Sequence, residues 1–264
     1  MNKGIIYCAT GKSHVNEAIV SAQSLRKNWS NIKTCIFTDE IDSVANLGVF
    51  DIVKKHKEPT YSFLDKITPL GESPFEYNLF LDSDTYINES CDELFELIEK
   101  FDLAVTHDPW RLGPEVNCPD CFPEFNTGVI VYRKNEKVLK FLKDWEHAHR
   151  NKVEIEPTIG DQASFREQLY HSDLKFFIFT NEYNFRTCYP NFAGETVNVK
   201  IFHGGANNWE EYAQTINHTK SARVFLGSLE QFNQNSFNFY TKGGRNMLKT
   251  LDKLYRTFRT IKRR

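Results

Sequence analysis

The chain has 264 residues, 40% of them hydrophobic and 14% aromatic, enough for one long domain with a substantial core or for two short ones. A net charge of −2 and a pI near 6.5 give no whole-chain case for binding nucleic acid. No stretch reaches the ~18 apolar residues of a membrane span. The opening residues enter a short apolar run with no signal-peptide core, so the six cysteines are expected reduced and the protein cytoplasmic. Charge is uneven: residues 242–264 hold nine Lys/Arg and one Asp, a net +8, which leaves −10 for residues 1–241.

In chain order, "GIIYCAT" (4–10) reads as a buried strand ended by Gly11. Residues 13–29 read as a helix, with Val15, Ala18, Ile19, Ala22 and Leu25 at helical spacing and Ser13 as N-cap. Strands follow at 33–40, 49–55 and through "NLFLDSD", then a helix over 91–101 and a strand over 103–108. A loop rich in Pro, Gly and Cys spans 109–123. Residues 126–134 form a strand and 135–150 a helix, in which His147 and His149 are assigned to the surface. A helix runs from Asp161 to 172, with Asp161 as a candidate N-cap. "LKFFIFT" and "VNVKIFHGG" are late strands. Strands alternating with helices predict an α/β fold with a mostly parallel sheet, in which ligands sit beyond the carboxyl ends of the strands.

Polar residues gather at those ends: Thr10, Thr38 and Asp39, Asp82 and Asp84, and His203 with Gly204 and Gly205. Two carboxylates one residue apart after an apolar run repel one another unless a cation lies between them. Positions i and i+2 of a strand share a side, so Asp82 and Asp84 can face one ion. Hard oxygen ligands suit Mg²⁺ or Mn²⁺, and an imidazole from His203 favours Mn²⁺. An Asp-x-Asp is weak evidence alone, since solvated turns contain many. A phosphatase of the HAD type opens similarly but requires Thr four residues after the first Asp, where Tyr86 stands. A calcium loop lacks its third oxygen ligand at Tyr86 and its glycine. A binding protein without turnover is the non-enzyme alternative. "NCPDC" offers a single Cys-x-x-Cys, two ligands short of a structural zinc site.

Four segments in order, "NLFLDSDTYI" (78–87), "FNTGVIVYR" (125–133), "GDQASF" (160–165) and "IFHGG" (201–205), resemble nucleotide-sugar glycosyltransferases of the GT-A fold. The resemblance is nearest the retaining, glycogenin-like and lipopolysaccharide galactosyl/glucosyltransferase group and covers about residues 4–210. It implies a catalytic domain over 1–241 that moves a hexose from a nucleoside-diphosphate sugar, a UDP-sugar, to a glycan or lipid-linked acceptor. It implies Mn²⁺, or Mg²⁺, held by Asp82, Asp84 and His203. Ala9, Thr10, Asp39, Lys66, Ser83, Asn126, Thr127 and Gly205 match donor-binding positions, as does Asp82. Asp161 and Gln162 match the pair beside the reacting sugar carbon. Asp161 is a nucleophile or a group that orients sugar hydroxyls, with front-face substitution favoured. The lysine of the family's "HFxGxxKPW" is absent from "FHGGANNWEEY", with Lys66, Lys12 or a tail lysine as compensating candidates.

In the tail, Met247, Leu248, Leu251, Leu254, Tyr255, Phe258 and Ile261 recur at helical spacing among basic residues. An amphipathic basic helix of this kind lies on an anionic membrane surface or docks on its own domain.

Overall fold

The computed structural model describes residues 2–108, 116–156, 159–206, 208–229 and 232. The 242–264 tail and the first half of the 109–123 loop lie outside the described residues.

The first half of the chain alternates strand and helix: β1 (Lys3–Cys8), α1 (Lys12–Asn28), β2 (Lys33–Thr38), α2 (Ile41–Val44), β3 (Ile52–Lys55), α3 (Leu64–Ile67) and β4 (Tyr77–Leu81). Then come β5 (Thr85–Ile87), α4 (Glu93–Leu97), β6 (Leu103–His107), β7 (Phe125–Arg133), α5 (Glu136–Ile155), α6 (Gln162–His171) and β8 (Phe176–Ile178). The last elements are β9 (Phe185–Arg186), β10 (Pro190–Ala193), β11 (Ile201–His203), α7 (Trp209–His218) and β12 (Arg223–Leu226).

Seven strands form one sheet in the order β3-β2-β1-β4-β7-β6-β8, all parallel except β7. The period-2 alternation of its central strands divides the core. Ile5, Tyr7, Leu79, Leu81, Val129 and Val131 pack on the face covered by α1. Ile6, Phe80, Ile130 and Tyr132 pack on the other face with Phe141 and Trp145 of α5 and Phe165 of α6. The chain leaves β1 towards β2 on one side and later returns to β4 on the other. This opens a crevice beyond the ends of β1 and β4, the place where α/β sheets bind ligands. A second sheet, β5-β11-β9, carries the end of β4 onward into the crevice wall.

Several sequence expectations need correction. The first helix begins at Lys12, one residue before Ser13, and its cap is Gly11 at φ 74°, a conformation that suits glycine. The 91–101 helix shrinks to α4, because Glu99 and Lys100 donate three residues back, to the Glu96 and Leu97 carbonyls, in tight single turns. In the last predicted strand only Ile201–His203 pairs; before it, Thr196, Val199 and Lys200 donate their amides to Lys220, Asn217 and Glu182 instead. His149 is fully buried, not on the surface, and burial lowers its pKa.

Candidate functional site

Asp82 and Asp84 do not share a strand. β4 ends at Leu81 and β5 starts at Thr85, so the pair sits on the turn between two sheets. The Asp82 amide donates to the Gly128 carbonyl at 2.8 Å, which holds that turn against β7. β11 pairs antiparallel with β5, with His203 opposite Thr85, and this brings the imidazole beside both carboxylates. His203 Nε2 lies 3.2 Å from Asp84 Oδ1 and 3.7 Å from Asp82 Oδ2. Asp82, Asp84 and His203 offer ligand atoms all within 4.8 Å of one another, the one such cluster among the described residues.

The tautomer of His203 follows from its neighbours. The Asn184 amide nitrogen donates to Asn126 Oδ1 at 2.8 Å, so Asn184 Oδ1 is left to accept from His203 Nδ1, also at 2.8 Å. Nδ1 therefore carries a proton, and Nε2 is the ring nitrogen that faces the carboxylates. Asn126 continues the chain, donating to Asp108 Oδ2 at 3.2 Å and to Gln162 Oε1 at 2.9 Å. Space for the ring comes from Gly128: a Cβ there would lie 2.0 Å from His203 Cε1. Two hard oxygen donors and one imidazole nitrogen fit a divalent ion of the Mn²⁺ or Mg²⁺ kind. Burial works to raise the Asp84 pKa, but the ion pair with His203 and the charge of Arg186 outweigh it and hold Asp84 well below the usual carboxylate range. Burial raises Asp82, with Lys66 and His203 opposing it. A cation would reverse that.

Beside this cluster lies a second group built around Lys66. α3, which sequence periodicity did not reveal, carries Lys66 into the crevice. Its Nζ is 3.3 Å from Asp82 Oδ2, 3.1 Å from Asp161 Oδ2 and 3.2 Å from Thr127 Oγ1. Thr127 Oγ1 in turn donates to Asp161 Oδ2 at 2.8 Å. Burial works to lower the Lys66 pKa, but Asp161 and Asp82 together raise it, so the ammonium stays charged. Asp161 is 2% exposed and stands at the N-terminus of α6, yet its side chain makes no capping hydrogen bond. Its carboxylate is committed to Lys66 and Thr127, while the Trp145 indole and the Ser164 hydroxyl bind its carbonyl.

The two groups share a cavity of about 730 Å³ lined also by Ala9, Thr10, Ser83, Asn126 and Gln162. Of the expected donor-binding residues, Asp39 and Gly205 do not line it. Asp39 instead accepts from the Gly11 amide at 2.9 Å and the Tyr61 hydroxyl at 3.0 Å, and so fixes the aromatic ring at the rim. Gly205 is exposed one residue beyond Gly204, whose amide donates to the Asp84 carbonyl at 3.0 Å. Thr10 donates its hydroxyl to Asp65, which also receives the Thr60 and Tyr61 amides; these hydrogen bonds hold Asp65 below its ordinary pKa against the effect of burial. Among the described residues, seven carboxylates line the cavity against two permanent cations, Lys66 and Arg186. Gly128, Asn184, Arg186 and Glu124 were not assigned roles from sequence. Gly128 alone had a signal, as the third residue of "NTG".

No protein-family model and no curated protein matches the sequence. Solved structures do match. The glycosyltransferase GlyE of Streptococcus pneumoniae TIGR4 superposes with a TM-score of 0.56 at 17% identity, over 71% of this chain and 48% of that one. Its apo form gives 0.54 at 16% identity, over 71% and 47%. The fold is a glycosyltransferase fold. The matched region spans about half the length of the GlyE chains. No helix among the described residues is long and apolar enough to cross a membrane.

Proposed function

We propose that the chain is a metal-dependent glycosyltransferase that moves a hexose from a UDP-sugar to a glycan or lipid-linked acceptor with retention of configuration. One observation carries this reading: Asp82, Asp84 and His203 converge at the same cavity as the Lys66–Thr127–Asp161 group, with Asp82 in contact with both. Asp82, Asp84 and His203 would hold Mn²⁺, or Mg²⁺, and the ion would neutralise charge on a diphosphate leaving group. The cavity could take a nucleotide sugar by size.

The chain's own residues have separable tasks. Lys66 and Thr127 fix Asp161 Oδ2 through two hydrogen bonds, which lowers its strength as a nucleophile. This favours a positioning role, in which Asp161 and Gln162 orient sugar hydroxyls while Asn126 keeps Gln162 in place. In the front-face step the bond from the sugar carbon to the diphosphate oxygen breaks and the bond to the acceptor oxygen forms on the same face. The acceptor proton passes to the departing diphosphate oxygen, so no enzyme base is required. The phosphatase alternative is not favoured: Tyr86, where that motif requires Thr, is stacked on Trp209 at 5.8 Å.

We also propose residues 1–241 as the catalytic domain and, from its net charge and apolar spacing, 242–264 as a basic tail for the anionic inner face of a membrane that presents a lipid-linked acceptor. Incubating the protein with a set of nucleotide sugars and Mn²⁺, and following nucleoside diphosphate release, tests the reading. Release from at least one donor, abolished by chelation, is expected.

A further inference from the structure

The charge balance of the cavity singles out Arg186. Of the two permanent cations that line the cavity among the described residues, Lys66 is already engaged by Asp82, Asp161 and Thr127. Lys12, considered from sequence as a substitute for the missing lysine, does not line the cavity. Arg186 lies on β9, directly beside His203 on β11 in parallel register, and so borders the metal cluster. Yet it has no carboxylate within salt-bridge distance among the described residues. Its Nη2 donates to Cys188 Sγ at 3.3 Å, and its guanidinium lies 5.3 Å from the centre of the Tyr189 ring. Its Nε is buried with no hydrogen-bond partner.

The guanidinium lines the cavity with no carboxylate within salt-bridge distance among the described residues, so an anion entering the cavity would complete it. A ligand that satisfies it must be anionic, must reach the edge of the metal cluster, and must offer several acceptor oxygens to a planar fork. A diphosphate does all three: one set of oxygens faces the ion and another faces the adjacent strand. Tyr189 and Cys188 hold the guanidinium in place beforehand, so little side-chain freedom is lost when the anion arrives.

We propose that Arg186 is the cation that binds the donor's diphosphate in this chain, in the role for which the segment after His203 supplies no lysine. This rests on the glycosyltransferase reading and deepens it. The residue clamps the diphosphate both in the bound donor and as it departs, when its charge increases.

Calorimetric titration with inorganic pyrophosphate in saturating Mn²⁺ tests this without knowing the base or the sugar, and Mn²⁺ alone is titrated in parallel. Wild type should bind both. Arg186→Ala should bind pyrophosphate about 10- to 100-fold more weakly, the effect of removing a charge-assisted hydrogen-bonding group, with Mn²⁺ bound at least as tightly as in wild type. Arg186→Lys should recover part of the loss, and Arg186→Gln, which keeps a donor without the charge, should recover less. Melting curves identify any variant that fails to fold, and the other two then decide. If wild type binds Mn²⁺ and pyrophosphate and the folded variants bind pyrophosphate equally well, the assignment of Arg186 is overturned while the glycosyltransferase reading stands. If wild type binds neither, that reading falls and the inference with it.

Discussion

Gly128 and His203 compete for one volume: a Cβ on Gly128 would sit 2.0 Å from Cε1 of the imidazole, and 2.7 Å from each ring nitrogen. The ring is walled in by the Asp82–Asp84 turn and by Asn184, so it has no equivalent position to move to. Gly128→Ala should therefore displace His203, weaken Mn²⁺ binding about 10- to 100-fold and cost about 1–3 kcal/mol of stability through overpacking. Metal titration together with urea unfolding checks both. Unchanged metal affinity in a folded Gly128→Ala protein would remove His203 from the metal site.

Lys66 lies between the buried Asp161 carboxylate and the partly exposed Asp82 carboxylate, and removing it deprives both of its charge. Lys66→Met should destabilise the protein by about 3–5 kcal/mol. Because Asp82 belongs to both groups, Mn²⁺ should restore part of that loss in the variant. Unfolding with and without Mn²⁺ measures this. Equal destabilisation in both conditions would mean that Asp82 is not a metal ligand.

Glu124 is buried at the far side of the cavity, and its nearest cation, Arg166, is 3.9 Å away. Burial pushes its pKa up to about 7, with Arg166 opposing and Asp108 adding to the rise. A carboxyl raised on folding is protonated in the folded state and ionised in the unfolded state between its two pKa values. Its contribution to stability is thus complete below its unfolded value near 4.5 and is lost as pH rises through 7. Glu124→Gln should match wild type near pH 4.5 and exceed it by about 1–3 kcal/mol at pH 8. A constant difference between the two proteins across that range would show that Glu124 does not titrate this way.

Much of the site was legible because its residues stand at strand ends. Thr10, Asp82 and His203 each follow a short apolar run, and α/β topology turns such positions into one rim. Strand alternation predicts that Asp82 and Asp84 face one side, but a turn between β4 and β5, not a shared strand, brings them together. Asn184, Gly128 and Arg186 were not legible as site residues because their roles arise from the β9–β11 pairing and from close packing on His203. The two-residue strand that carries Arg186 has no periodicity to detect. Charged neighbours on either side suggest a surface position for His149, but it stands four residues after Trp145 and extends the buried stripe of Val138, Phe141, Leu142 and Trp145 by one turn.

The tail gives a prediction from composition alone. Residues 242–264 combine a net +8 with seven apolar residues at helical spacing. The full chain should bind anionic vesicles, more weakly as salt rises, and deletion of 242–264 should abolish this while sparing turnover on a soluble acceptor. If the shortened chain unfolds, the apolar residues pack on the domain instead.

The central claim is that Asp82, Asp84 and His203 hold the ion that makes this cavity a sugar-transfer site. Nucleoside diphosphate release from a nucleotide-sugar panel, with Mn²⁺ and for wild type beside Asp84→Ala, tests it most directly. The account predicts metal-dependent release from at least one donor by wild type, falling by about 100-fold or more in a folded Asp84→Ala protein, comparable to losing other groups that stabilise transition-state charge. Equal release by the two proteins, or none from any donor by wild type, would contradict it.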